Sequence, residues 1–157
     1  MIYKPPSNIA KRCNDRSVFL AGSIEMNVAE DWQARISPLF EKYEFDIFNP
    51  RRDDWNASWV QTFTNPNFYQ QVGWELNALD KCDIILMYFD PNTKSPISLL
   101  ELGLYASSKK IYVVCPDGFW RKGNIEVVCD RYNIHIFDTL EDFEKYFISD
   151  IKESYVE

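Results

Sequence analysis

The sequence contains few of the residues from which metal centres and disulfide frameworks are built. Its 157 residues include one histidine and four cysteines, and no two cysteines have C-x-x-C spacing. Zinc sites need several such ligands at close spacing, so we expect neither a metal nor another cofactor. We expect reduced thiols, with Cys82 and Cys115 behaving as small buried hydrophobes beside apolar runs.

Long apolar runs and an excess of positive charge are missing as well. No apolar run approaches the ~20 residues of a membrane span, and the polar, proline-broken stretch Met1–Pro6 does not resemble a signal peptide. The net charge of −7 argues against binding a nucleic acid polymer, because that affinity comes from neutralising phosphates. A cytoplasmic protein is therefore expected, and a single nucleotide held by local cations stays possible.

The chain is rich in apolar residues, which make up 46% of it, and short apolar runs alternate with helical patterns. One domain with a sizeable core is expected at this length. The alternation predicts right-handed crossovers and a doubly wound, five-stranded parallel sheet with helices on both faces. The predicted strands are Ser17–Ala21, Phe45–Phe48, Asp83–Phe89, Lys110–Cys115 and Ile134–Phe137.

Helices are predicted between these strands and after the last of them. They cover Val28–Tyr43, Asn67–Lys81, Ser98–Ala106, Asn124–Tyr132 and a final stretch from Asp138 to Ile148. Residues 17–149 form the predicted domain, with an N-terminal extension over 1–16 and a tail over 150–157. The connection 51–66 is long, aromatic and without periodicity, which compact domains usually keep for function.

The segment from Cys82 to Ala106 is the most informative part of the chain. It consists of a strand buried on both faces, a polar turn and a helix that carries Glu101 among apolar residues. We expect Glu101 in the first turn of this helix, near the carboxyl ends of the strands, where ligands bind in open parallel sheets. The alternative is a capping box, in which Ser98 and Glu101 satisfy each other's backbone N–H groups.

The chain resembles the nucleoside 2-deoxyribosyltransferase superfamily, in particular its branch of short, stand-alone transferase-like proteins. The resemblance covers about residues 17–147. Its motifs, in family order, are Phe19–Ile24, Phe48–Arg52, Trp74–Glu75, Asp83 at the start of a strand, Pro96–Gly103 and Gly118–Asn124. It implies a flavodoxin- or Rossmann-like fold, with the glutamate of the L-E-x-G motif, Glu101, as nucleophile.

The resemblance implies cleavage of the N-glycosidic bond of 2′-deoxynucleosides through a covalent glutamyl-deoxyribosyl intermediate, with transfer to another nucleobase in purine and pyrimidine salvage. Hydrolysis of 2′-deoxynucleoside 5′-monophosphates and non-catalytic nucleotide sensing are the alternatives, and an oligomeric scaffold is a third reading. Partners are expected to be nucleosides, nucleotides and nucleobases. Family members form homo-oligomers in which a neighbour helps to complete the pocket, and the same is expected here.

A retaining mechanism needs a second group as acid and base beside the nucleophile. The resemblance assigns this role to Glu75, although the family usually has aspartate there. A solvated helix face is the other explanation for Glu75, and Asp90, after the third predicted strand, is a reserve candidate.

Substrate-binding residues are expected in the loops around this rim. The five glycines lack the G-x-G-x-x-G pattern, but Gly22 and Ser23 after the first strand let backbone approach a ribose or base, or simply form a turn. Arg51 and Arg52 either pair with a phosphate or a carboxylate, or serve solubility and the fold.

The 5′ substituent of a substrate is expected near two serines. Ser95 stands six residues before Glu101, where nucleoside-specific members carry aspartate and nucleotide-hydrolysing relatives carry serine, and Ser98 opens the predicted helix. Both are also ordinary loop and cap residues. Trp74 and the rings before it offer stacking for a base, or a lid or subunit contact, and Asn124 ends the motif after the fourth strand.

Overall fold

Six parallel strands form the sheet in the computed structural model, which describes residues 1–25 and 29–154. The strands are β1 (Ile2–Tyr3), β2 (Arg16–Gly22), β3 (Phe45–Phe48), β4 (Ile84–Tyr88), β5 (Ile111–Val114) and β6 (His135–Phe137). Their spatial order is β1-β3-β2-β4-β5-β6. The order reverses beside β2 and β4, and ligands of doubly wound sheets bind where the order reverses.

In the described part of the chain, five α-helices cover the two faces of this sheet. They are α1 (Trp32–Lys42), α2 (Pro66–Lys81), α3 (Pro96–Tyr105), α4 (Lys122–Tyr132) and α5 (Leu140–Ser154). Residues of α2, α3 and α4 share one core cluster with the sheet, and residues of α1 and α5 share the other. The predicted single-domain, doubly wound fold is therefore confirmed. In the described part of the chain, no helix is both long enough and apolar enough to cross a membrane.

The predicted strand number of five is wrong, because β1 adds a sixth strand at the edge of the sheet. Ile2 and Tyr3 pair with β3 in parallel register. A two-residue strand is too short to show any periodicity, so the pattern of the sequence could not reveal it. Asp46 of β3 holds the segment that follows, since its buried carboxylate accepts hydrogen bonds from the backbone N–H groups of Cys13 and Asn14.

The boundaries of the other elements agree with the sequence pattern to within a few residues, except at two helix ends. Val28, the predicted start of the first helix, lies outside the described residues. The helix itself begins at Trp32, with the carboxylate of Asp31 accepting a hydrogen bond from Ala34 N at 3.1 Å. The last helix continues to Ser154, beyond its predicted end at Ile148. The domain limits at 17 and 149 stay a prediction.

Gly22 joins β2 to the rim of the sheet in a conformation that only glycine adopts easily. Its φ is +129°, and a Cβ atom built there would lie 2.2 Å from Tyr88 O and 2.7 Å from Tyr88 N. The close backbone approach expected at Gly22 is therefore to strand β4. The backbone N–H of Ser23 then donates to Tyr88 O, which fixes the start of the loop that follows.

We expect Gly22→Ala to destabilise the fold by roughly 3 kcal/mol or more, because it combines a positive φ with a clash against backbone. Urea unfolding measures the change. Gly123→Ala is the matched control, since a Cβ at Gly123 meets no atom within 4 Å and alanine favours a helix. Equal stability of the two variants would contradict the clash.

Candidate active site

Glu101 lies on α3, buried and without a hydrogen-bond donor from the described part of the chain. The helix begins at Pro96, so Glu101 stands in its second turn and the predicted first-turn position is wrong. The helix starts earlier than the Ser-x-x-Glu pattern indicates because proline is well suited to the first helical position. Ser95 is the N-cap residue, and its own side chain makes no capping hydrogen bond. The capping-box alternative is therefore excluded.

Glu75 faces the same region from the middle of α2. Its carboxylate accepts a hydrogen bond of 2.7 Å from Gln71 Nε2, one helical turn earlier, and this amide also donates to Pro50 O at 3.2 Å. Gln71 is buried and orients Glu75, a role that the sequence analysis missed. The Gln-to-Glu spacing of four residues on one helix face was the signal that could have found it.

The two carboxyl groups share a desolvated environment. Burial raises the pKa of Glu75 to about 7, partly offset by the hydrogen bond from Gln71. Burial and then repulsion from Glu75 raise the pKa of Glu101 to about 8. Near neutral pH the pair therefore holds at least one proton, and the protons leave in two steps that belong to the pair. The dipole of α3 does not keep Glu101 ionised, because that effect is confined to the first turn.

A contact between α2 and α3 supports this pairing. The hydroxyl of Tyr105, one turn after Glu101, donates to Asp80 Oδ1 at 2.6 Å. Asp80 lies on α2 one to two turns after Glu75. The hydrogen bond therefore ties together the two helices that carry the carboxyl groups.

Three buried hydroxyl groups lie between the end of β2 and the start of α3. Ser23 Oγ contacts Thr93 Oγ1 at 2.9 Å and Ser95 Oγ at 2.5 Å, and Thr93 contacts Ser95 at 2.8 Å. Asp90 N donates to Ser23 Oγ at 2.8 Å, while the Asp90 carboxylate accepts from Asn92 N in the turn. The predicted residues Ser23, Asp90 and Ser95 are thus brought together, and the hydroxyls of Ser23 and Ser95 bond within the loops themselves.

Ser98 differs from these serines. It lies on α3 one turn before Glu101, only 5% exposed, and its hydroxyl makes no hydrogen bond with the described part of the chain. Glu101 is 8% exposed and is likewise without a hydrogen bond there. One face of α3 therefore presents two mostly buried polar side chains without a hydrogen-bond partner in the described chain, and their oxygen atoms are open enough to bond to water or to a ligand.

The two predicted arginines are engaged within the chain. Arg51 Nε donates to Gln33 Oε1 at 2.8 Å and Arg51 Nη2 donates to Glu30 O at 2.9 Å. Arg52 forms a bidentate pair with Asp54, with its shorter contact at 2.6 Å, and lies over the ring of Trp59. Both guanidinium groups order the loops beside the rim.

Trp74 packs in the core, and Asn124 lines a groove at the surface. The Trp74 ring is buried against Phe19 and Phe48, and its indole N–H donates to Ser7 O. Asn124 is exposed in an open groove of about 340 Å³ between α3 and α4, beside Trp120.

The arrangement defines a class of protein: a doubly wound α/β domain with two electrostatically coupled carboxyl groups, Glu101 buried and Glu75 half-buried, near the carboxyl ends of its strands. A family described as "Nucleoside 2-deoxyribosyltransferase like" matches residues 15–119, more than half of the chain and a range that includes both glutamates. The chain belongs to this family. Membership indicates a glycosyl-transferring or N-glycosidase type of enzyme with small nucleoside or nucleobase substrates. No curated protein matches the sequence.

Proposed function

We propose that the protein cleaves the N-glycosidic bond of 2′-deoxynucleosides and transfers the deoxyribosyl group to another nucleobase. The observation that carries the proposal is the pair of coupled carboxyl groups, the half-buried Glu75 and the buried Glu101, with raised pKa values. Retaining glycosyl transfer needs one ionised and one protonated carboxyl group at the same time. A pair that shares a proton near neutral pH supplies both forms, and the reactive arrangement is the one with the proton on Glu75 and the charge on Glu101.

In the first step, a Glu101 oxygen attacks C1′ of the sugar and the bond from C1′ to the base nitrogen breaks. The electron pair of that bond goes to the base, and Glu75 donates its proton there. In the second step, a nitrogen of the incoming base attacks C1′, the bond to Glu101 breaks and Glu75 takes the proton of the new base. If water replaces the incoming base, the same steps give hydrolysis.

We expect a 2-deoxy-2-fluoro-arabinosyl nucleoside to label Glu101 covalently, because the fluorine slows the second step more than the first. Intact-mass measurement after incubation shows the adduct, and peptide mapping locates it. Glu101→Gln is the matched control and should stay unlabelled. An adduct on another carboxyl group would contradict the assignment. Incubation with a deoxynucleoside and a free base then separates transfer from hydrolysis, because the products are a new nucleoside or free deoxyribose.

The nucleoside is favoured over the 5′-monophosphate as substrate. Arg51 and Arg52, the cations predicted as phosphate ligands, are engaged with Gln33 and with Asp54, and the net charge is −7. A role in cytoplasmic nucleoside salvage belongs to the same proposal and follows from the substrate class.

The proposal includes a homo-oligomer formed through α3. Ile97, Leu100 and Leu104 lie on one stripe of this helix and are more than half exposed, and such an apolar stripe is typical of an interaction surface. We expect Leu100→Glu to lower the molar mass measured by light scattering after size-exclusion chromatography. Tyr132→Glu, at the end of α4, is the control. An unchanged mass for Leu100→Glu would contradict an interface at α3.

A further inference from the structure

The start of α3 is occupied by a carboxylate from another part of the chain. Glu25, in the connection between β2 and α1, accepts hydrogen bonds from the backbone N–H groups of Lys94, at 2.7 Å, and of Ser95. These groups stand immediately before the helix, where backbone N–H groups and the helix dipole favour an anion. Glu25 therefore fills the position that an anionic ligand of this helix would take.

The distance from this position to the proposed nucleophile fits a deoxyribose together with its contacts at both ends. Glu101 follows Ser95 by six residues, which corresponds to roughly 9 Å along a helix that rises 1.5 Å per residue. Ser98 lies between them, more than nine-tenths buried and without a hydrogen bond to the described residues. A deoxyribose that lies along this face with C1′ at Glu101 brings its 5′ carbon to Ser98 and the Glu25 carboxylate.

We propose that Glu25 is a specificity-determining residue, which selects a neutral 5′-hydroxyl group and excludes a 5′-phosphate. A 5′-hydroxyl can donate a hydrogen bond to the carboxylate. A phosphate dianion would have to displace the charge-assisted hydrogen bonds of Glu25, which are stronger than those of a neutral amide, and it would meet a like charge at close range in a partly desolvated site. The inference rests on the proposed function, because it concerns the substrate of the same site.

The surroundings hold the Glu25 contact in place. Glu25 and Ser95 both have positive φ values, of 36° and 45°, a costly conformation that persists where neighbouring contacts enforce it. The side chain of Ser95 is bound within the buried hydroxyl cluster with Ser23 and Thr93. Trp120 Nε1 donates to Lys94 O at 3.0 Å, and the Lys94 ammonium group lies near the Trp120 ring.

The test is Glu25→Gln, which removes the charge and keeps an oxygen that can accept the two N–H groups. We expect the ratio of kcat/KM for a 2′-deoxynucleoside 5′-monophosphate to kcat/KM for the corresponding nucleoside to rise at least tenfold. In calorimetric titrations, inorganic phosphate should bind to the Glu25→Gln variant at least tenfold more tightly than to the unmodified protein. Glu30→Gln is the matched control, since Glu30 lies in the same connection with an exposed side chain, and it should change neither quantity.

A second variant, Glu25→Ala, separates charge from steric blocking. A gain in phosphate binding by both variants supports the proposal, and a gain by the alanine variant alone overturns charge selection in favour of steric blocking. An unchanged substrate ratio together with unchanged phosphate binding also overturns the proposal. If neither the unmodified protein nor any variant cleaves a nucleoside, the proposed function fails. The phosphate titration then still shows whether Glu25 prevents anions from binding at the start of α3.

Discussion

Glu101→Gln is expected to abolish cleavage of the N-glycosidic bond while the fold stays intact. The amide cannot form the covalent bond to C1′, and loss of a nucleophile removes several orders of magnitude in rate. The structural cost should be small, because Glu101 makes no hydrogen bond with the described chain and caps no helix. Product formation measured by chromatography, with circular dichroism of the same sample, tests both parts of this expectation.

Glu126→Gln is the matched control, since Glu126 is exposed on α4. It should keep the activity of the unmodified protein. If Glu101→Gln retains near-normal turnover, Glu101 is not the nucleophile. If the unmodified protein binds a nucleoside but never cleaves it, the protein is a sensor that uses the same rim.

The stability of the unmodified protein is expected to fall, relative to Glu101→Gln, as the pH rises from about 4.5 to about 8. The ordinary pKa of a glutamate is 4.5, and burial with repulsion from Glu75 raises the pKa of Glu101 to about 8. The folded state therefore holds a proton that the unfolded chain releases, so the free energy of unfolding decreases with rising pH in this window. Below about 4.5 the carboxyl group is protonated in both states, and above about 8 the difference is constant.

The expected difference between the two proteins at the alkaline end is roughly 2 kcal/mol or more, since one pKa unit corresponds to about 1.4 kcal/mol. Urea unfolding at about pH 5 and about pH 9 measures the free energy of unfolding of both proteins. Glu126→Gln should follow the unmodified protein at both values, because its side chain is exposed. Parallel curves for Glu101→Gln and the unmodified protein would show that Glu101 carries no burial penalty.

Strand β4 and the start of α3 illustrate what the sequence pattern predicts correctly and what it does not. Ile84–Tyr88 is nearly continuous apolar sequence, and this pattern is typical of a central parallel strand covered on both sides. The predicted start of α3 at Ser98 is wrong, because the helix begins at Pro96. Ser98 and Glu101 match a capping box, but proline is well suited to the first helical position without a cap from its neighbour's side chain. The capping-box pattern and the proline predict different first residues for the helix, and the structure has the one that the proline predicts.

The roles of several residues depended on contacts between distant segments. Arg51 and Arg52 could serve a phosphate or the fold, and only the positions of Gln33 and Asp54 show that the chain itself engages them. No sequence pattern distinguishes Glu25, because a single carboxylate in a loop belongs to no periodic arrangement or motif. Its partners, the N–H groups of Lys94 and Ser95, lie about seventy residues away along the chain.

The sequence alone determined the doubly wound architecture, the family resemblance and the two glutamates proposed for catalysis, because periodicity and motif order are properties of neighbouring residues. The tertiary structure decided what those glutamates are chemically. Burial raises the pKa of both groups, and repulsion from Glu75 raises the pKa of Glu101 further. Desolvation depends on which distant segments come together, and no local pattern of residues records that.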